Sequence, residues 1–273
     1  MQKKMLQKRY SVGNPSGEAV YAVVTGASRG LGRAIAEELS RRGFNTVLIS
    51  SNERIAEVCA ELKSKYGVDS QYVVSDLTKE AEVLAAADAI NERYSVFMLV
   101  NNAGLGGTQR FDEVSVERLH LILGLNVVAT TMLCRKLLPN LLKHEHSYIL
   151  NVSSLAALTP TGYKMVYPAS KAFVRHFSYG LRAEMKGRGL SVSVVSPGAM
   201  ATSPDICSRI EKQGVLGRLT LSPVARVARK CVRQTLRGRK EILVAPVSYV
   251  LSRLLPASLK TPILTRIVRR EVI

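Results

Sequence analysis

Residues 96–100 read Val-Phe-Met-Leu-Val, apolar at every position. A strand of that kind leaves no face for water, so it needs a parallel sheet covered on both sides. The type recurs: strands are expected over residues 20–25, 45–50, 71–75, 148–152 and 190–196, with a shorter seventh over 241–245. Between them lie segments whose apolar residues fall three and four apart, the spacing of an amphipathic helix. These cover 31–42 closed by Gly43, 53–66 ended by Gly67, 78–94, 114–142 with Pro139 near its end, and 167–185. Ser222-Pro223 is an N-cap followed by proline at the first helical position, opening a helix to about residue 237. Repeated β-α units with right-handed crossovers make an α/β, doubly wound parallel sheet, whose ligands sit at the carboxyl ends of its strands.

Polar residues of chemical interest fall at those ends: Gly26 after the first strand, Asp76 after the third, Asn102 after the fourth, Ser154 after the fifth and Pro197 after the sixth. Gly26, Gly30 and Gly32 are spaced G-x-x-x-G-x-G and open the first helix. Glycine there lets backbone N–H groups approach a pyrophosphate near the helix N-terminus. Tyr167 and Lys171 are four apart and share a helix face. An ammonium beside a phenol pulls a pKa of about 10 toward the working range of a proton donor. Ser154, thirteen residues before Tyr167, offers a hydroxyl that could hold a carbonyl oxygen. Taken alone, a Tyr-Lys pair at this spacing also describes a solvated helix face.

It does not stand alone. Thr25-Gly-Ala-Ser-Arg-Gly-Leu-Gly32, Asn101-Asn-Ala-Gly104, Asn126, Asn151-Val-Ser-Ser154, Tyr167-Pro-Ala-Ser-Lys171 and Pro197-Gly-Ala-Met-Ala-Thr202 occur in the order and at the spacing of one family. Over about two-thirds of its length the chain resembles the short-chain dehydrogenases/reductases. That resemblance implies a single Rossmann domain that binds a dinucleotide and transfers hydride. Its implied catalytic set is Asn126, Ser154, Tyr167 and Lys171. Tyr167 is the acid in reduction and the base in oxidation. Lys171 lowers its pKa and bonds the nicotinamide ribose, and Ser154 positions the substrate oxygen. Asn126 holds a water that extends a proton relay through Lys171. Ser153 is adjacent, but the spacing to Tyr167 favours Ser154.

The implied dinucleotide set begins with Gly26, Ser28, Arg29, Gly30, Leu31 and Gly32. It continues with Ser51, with Asp76 and Leu77 at the adenine, and with Asn102, Ala103 and Gly104. Tyr167 and Lys171 join it, then Pro197, Gly198 and Thr202, the last orienting the carboxamide. An NAD-preferring site offers an acid near the end of strand two. Here that neighbourhood reads Ile49-Ser-Ser-Asn-Glu-Arg54, and Arg29 stands ready for a 2′-phosphate. NADP(H) is therefore favoured over NAD(H).

The expected substrate is a lipophilic ketone or secondary alcohol. Segments 105–109, 155–166 and the loop after Gly198 supply Leu105, Leu155, Leu158, Tyr163, Met165, Met200 and Ile206, with little fixed charge. The run 147–171 and the C-terminal extension are most similar to the branch of 17β-hydroxysteroid and long-chain 3-ketoacyl reductases. Other chemistries find no support. Neither a G-x-S-x-G elbow nor an H-E-x-x-H helix is present, and His120, His144, His146 and His176 have no ligand-like partners, so no metal is expected. His144 and His146 are expected on a surface turn. Cys59, Cys134, Cys207 and Cys231 are scattered, as reduced thiols of a cytoplasmic protein are.

The formal charge is +18 and uneven. From Asp205 to the end, fifteen Lys and Arg face four acids, and residues 1–10 add four cations and no acid. The expected organisation is a basic arm over 1–18, the dinucleotide-binding catalytic domain over 19–246, and a basic amphipathic extension over 247–273. Pro256 and Pro262 are expected to split that extension into two short helices. Three readings compete for it: capping the substrate cleft, packing on a partner subunit, or peripheral contact with an anionic membrane. No recognition motif accompanies the charge, so nucleic acid is not expected. No run of about 18 uncharged apolar residues marks a membrane span, and the basic start lacks the apolar stretch of a secretory signal. A homodimer or homotetramer is expected, with the basic face of the helix over 223–237 turned outward.

Overall fold

Seven strands form one parallel sheet in the computed structural model, which describes residues 18–200, 208 and 222–272. They are β1 (Val20–Thr25), β2 (Asn45–Ser50), β3 (Ser70–Val74), β4 (Ser95–Asn101), β5 (Ser147–Val152), β6 (Leu190–Val195) and β7 (Glu241–Ile242). Their order, β3-β2-β1-β4-β5-β6-β7, reverses direction between β1 and β4. That reversal is where a doubly wound sheet opens its ligand crevice. β4 shows why: Val96, Phe97, Met98, Leu99 and Val100 are all fully buried, with side chains in two separate cores.

One layer is built from α1 (Gly30–Arg41) and α2 (Ile55–Tyr66). Its core holds Ile35, Leu39, Phe44, Leu48 and Phe97, and Phe44 meets Phe97 at 5.1 Å between ring centroids. The other layer carries α3 (Glu80–Arg93), α4 (Val116–Leu141) and α5 (Val166–Glu184) around Leu99, Leu133, Leu137, Ile149 and Val192. By length and composition α4 is apolar enough to cross a membrane. Its sheet-facing Leu133, Leu137 and Leu141 are fully or almost fully buried, while Val116, Leu121 and Leu123 are exposed. Within it, Gly124–Val128 forms a π-helical turn, a distortion that concentrates at functional sites.

α6 (Val224–Thr235) returns to the first layer. It buries Val227, Ala228, Cys231 and Val232 and leaves Arg226, Arg229 and Arg233 exposed, with Arg237 exposed just beyond its end. The chain ends in α7 (Pro246–Leu254) and α8 (Ala257–Arg269). Pro262 lies inside α8 rather than breaking it. As the sixth residue of α8 it forfeits the N–H bond to the Ser258 carbonyl, and the helix continues through it.

These last helices are tied to the body. The backbone N–H of Gly162 donates to Thr265 Oγ1 at 2.9 Å. Thr108 Oγ1 donates to Glu271 Oε2 at 2.7 Å, and Lys260 Nζ to the Leu158 carbonyl at 2.8 Å. Below them, Arg175 Nε and the Tyr249 hydroxyl both donate to Glu241, at 3.2 and 2.7 Å. His144, expected on a surface turn, is only 3% exposed, with Nε2 3.3 Å from Ser95 Oγ. The neighbouring Glu145 and His146 do face solvent.

Candidate active site

A cleft of ≈ 910 Å³ runs along the carboxyl ends of β1, β2, β4 and β5. Its first wall is the turn between β1 and α1. A Cβ added at Gly32 would sit 2.3 Å from the Gly26 carbonyl oxygen and 2.5 Å from Asn102 Nδ2, so only glycine fits. Asn102 braces the turn, with Nδ2 donating to the carbonyls of Thr25 and Gly26 at 2.9 and 3.2 Å. Thr25 Oγ1 returns the contact, accepting from the backbone of Asn102 and Ala103, both at 2.9 Å. α1 starts without a side-chain cap and without an acid in its first turn. Its open N–H groups and dipole therefore suit an anion. Arg29, at the N-cap, is exposed beside them.

The second wall is β5 and α5. Adjacent serines leave β5 with different tasks. Ser153 Oγ is buried and donates to the Lys171 carbonyl at 2.7 Å. The Ser154 hydroxyl accepts from the Ala156 N–H at 3.1 Å and faces the same cleft as the Tyr167 phenol. Tyr167 remains partly open to the cleft yet lies deep enough that burial raises its pKa, while Ser154 pulls it down. Lys171, one turn on, is 4% exposed and donates from Nζ to the Val152 carbonyl at 2.9 Å. Burial lowers its pKa to about 8. Its Nζ lies 6.0 Å from the centre of the Tyr167 ring.

Asn126 lies in the π-helical turn of α4, fully buried. Its Oδ1 accepts from the Leu105 N–H at 2.8 Å. Its Nδ2 donates to the Leu105 carbonyl and to Ser170 Oγ, both at 2.9 Å. Asn126 was expected to hold a water; its side chain is engaged as a clamp on the loop after Gly104. Ser170 completes the clamp by donating to the Tyr167 carbonyl at 2.8 Å.

Most of the expected dinucleotide set lines this one cleft: Gly26, Ser28, Arg29, Gly30, Leu31, Ser51, Asp76, Leu77, Asn102, Ala103, Gly104, Tyr167, Lys171, Pro197 and Gly198, with Ser154. Gly32 lies just behind the turn, and Thr202 and Ile206 fall outside the described residues. Asp76 stays ionised, held below the usual carboxyl range mainly by the Thr78 hydroxyl. At the end of β2 the cleft wall is Ser50 and Ser51, without an acid.

The expectation of little fixed charge needs correction, because Arg118, Lys164 and Glu271 also line the cleft. Lys164 Nζ stands 5.6 Å from the centre of the Tyr167 ring, and Arg118 Nη2 donates to the Gly106 carbonyl at 2.7 Å. Arg118 comes from α4 and Glu271 from beyond α8, so local sequence gave no signal for them. Thr25 and Ser170 were legible as members of the quoted motifs but carried no assigned task. Among the described residues no group of His, Cys, Asp and Glu is placed to hold a metal.

The short chain dehydrogenase family model matches residues 20–211. The very-long-chain 3-oxoacyl-CoA reductase of Anas platyrhynchos is 36% identical over 191 residues, covering 68% of this chain and 61% of that protein. The inactive hydroxysteroid dehydrogenase-like protein 1 of Homo sapiens is 34% identical over 187 residues, or 67% and 56% of the two chains. The chain thus spans about three-fifths of the length of these curated relatives. Among solved structures, a short-chain dehydrogenase from Sphingobium yanoikuyae in complex with NADPH superposes with a TM-score of 0.75 at 28% identity, over 87% of this chain and 91% of that one. One from Burkholderia phymatum in complex with NAD gives 0.76 at 26% identity, over 87% and 92%. With its sheet order, glycine turn and Ser-Tyr-Lys wall, this chain belongs to the short-chain dehydrogenase family, in the branch of the 3-oxoacyl-CoA reductases and hydroxysteroid dehydrogenases.

Proposed function

We propose that the protein is an NADP(H)-dependent oxidoreductase that interconverts a lipophilic ketone, 3-oxoacyl- or steroid-like, and its secondary alcohol. The observation that carries this reading is that Ser154, Tyr167 and Lys171 line one wall of the same cleft, with Lys171 one helical turn beyond Tyr167. The glycine turn and the open N-terminus of α1 fit a dinucleotide pyrophosphate. Exposed Arg29, and serines where an acid would select NAD, support the 2′-phosphate form. The NADPH of the Sphingobium relative agrees with that preference.

When bound, NADPH supplies the hydride. Tyr167 gives its hydroxyl proton to the carbonyl oxygen as that oxygen gains charge, and recovers it through the hydroxyls and water around it. Ser154 donates to the same oxygen and stabilises it, in the manner of an oxyanion donor. Lys171, held on Val152, keeps a positive charge below the phenol as the proton leaves. Asn126 fixes the Leu105 backbone and Ser170 and so holds the floor on which these groups stand.

The test is consumption of NADPH against a panel of lipophilic ketones. The second reading is a dinucleotide-binding sensor or scaffold without catalysis, which the inactive human relative makes concrete. Tight NADPH binding with no turnover on the whole panel selects that second reading. We read the protein as a cytoplasmic homodimer or homotetramer, and sedimentation at several concentrations tests this.

A further inference from the structure

We propose that α7 and α8 seat the protein on an anionic membrane surface with their outward face, while their inward face covers the substrate end of the cleft. The proposal concerns a surface, and it stands whether or not the reduction above is correct.

The outward face carries Val250, Leu251, Leu254, Leu255, Leu259 and Ile263, each between 45% and 75% exposed. Single exposed aliphatic residues need no explanation, but six along two consecutive helices and their junction do. They are not left over from a failure to pack. Tyr249 and Val268 point inward and are buried, and Thr265 and Lys260 bond the body at Gly162 and Leu158. On α8 and its C-cap, Leu259, Ile263, Arg266 and Arg270 follow one another three and four residues apart, so they share one side.

Charge identifies the occupant. Arg253, Arg266, Arg269 and Arg270 are exposed around this ridge. Between residues 242 and 272 the sequence holds a single acid, Glu271, which accepts from Thr108. Aliphatic side chains at the acyl boundary with guanidinium groups on headgroup phosphates is how an amphipathic helix lies on an anionic bilayer. A second copy docked on this face about a two-fold axis would bring the arginines toward their own symmetry mates with no acid between them. The bilayer is the complementary partner. The tail is then both cap and foot, because the segments it holds at Thr108, Leu158 and Gly162 border the wall that bears Tyr167.

The experiment is co-sedimentation of the full chain with vesicles of phosphatidylcholine alone and of phosphatidylcholine with phosphatidylserine, at about 0.1 and about 0.5 M salt. Binding is expected on the anionic vesicles, about tenfold weaker at the higher salt, and marginal on the neutral ones. The double variant Leu254→Asp/Ile263→Asp should lose about tenfold in partition while melting as the parent does. Arg266→Glu/Arg270→Glu provides the same reading should the first variant fail to fold. Undiminished binding by a folded variant overturns the proposal, as does absence of binding to anionic vesicles. Concentration-dependent self-association abolished by either variant assigns the face to a second copy and overturns it equally.

Discussion

Lys171 Nζ donates to the carbonyl oxygen of Val152 across 2.9 Å, so the ammonium hangs from the last residue of β5. Almost fully buried, its pKa falls from 10.5 to about 8. Between those values the unfolded chain holds the proton and the folded one releases it, so this group makes stability rise with pH in that window. Below about 8 both states are charged and the burial penalty is present in full. The thiols of Cys134 and Cys231, raised by burial to about 12, act in the opposite sense above pH 9, so the parent's profile alone is ambiguous. Lys171→Met isolates the lysine. Its melting temperature relative to the parent should be highest below about pH 8 and should decline toward about pH 10. A constant difference across that range contradicts the buried charge.

Gly32→Ala should damage both the fold and the dinucleotide site. The new Cβ meets the Gly26 carbonyl and Asn102 Nδ2, neither of which can move without breaking the brace to Thr25. A destabilisation of about 1–3 kcal/mol is expected from overpacking. Thermal melting and NADPH titration measure the two effects. An unchanged melt with parental affinity shows that the turn yields.

Arg29→Glu should weaken NADPH far more than NADH. Arg29 is exposed, so the loss is that of a charge-assisted contact at a wet site, about 1.5–3 kcal/mol, or roughly 10- to 150-fold in affinity. Isothermal titration with both dinucleotides gives the ratio. If it does not change, Arg29 faces solvent in the complex and Ser51 carries the preference alone.

Gly162→Val tests the seat of the tail. A Cβ at residue 162 would lie 2.6 Å from Thr265 Cγ2, so valine must push α8 away. Limited trypsin digestion should then cut faster at Arg253, Arg266 or Arg269, and the apparent KM for substrate should rise with NADPH affinity kept. Digestion at the parental rate shows that the helix accommodates the side chain.

Much of this arrangement was legible because it is local. Continuously apolar strands such as β4 announced a covered parallel sheet, and Tyr167 and Lys171 share a face by spacing alone. What escaped depends on contacts far apart in sequence or on departures from a period. Thr108 and Glu271 meet across 163 residues, and Gly162 and Thr265 across 103. Nothing near either partner signals the other. The π-helical turn Gly124–Val128 inserts no visible break in the apolar pattern of α4, so a single regular helix was expected there. His144 looked like a turn residue beside Glu145, yet it is buried with its ring against Ser95 at the start of β4, a contact 49 residues away in sequence. The cleft's charge was underestimated for the same reason: Arg118 and Glu271 arrive from elements distant from the catalytic motifs.

The most direct test of the account is a comparison of the parent with Tyr167→Phe, following NADPH oxidation at saturating ketone beside NADPH binding by titration. The substitution removes the phenolic proton donor and leaves the glycine turn untouched. Measurable turnover is expected from the parent and a loss of about 10²-fold or more in the variant, with NADPH affinity within about twofold of the parent, equivalent to about 0.4 kcal/mol. Turnover by Tyr167→Phe at the parental rate would contradict Tyr167 as the acid.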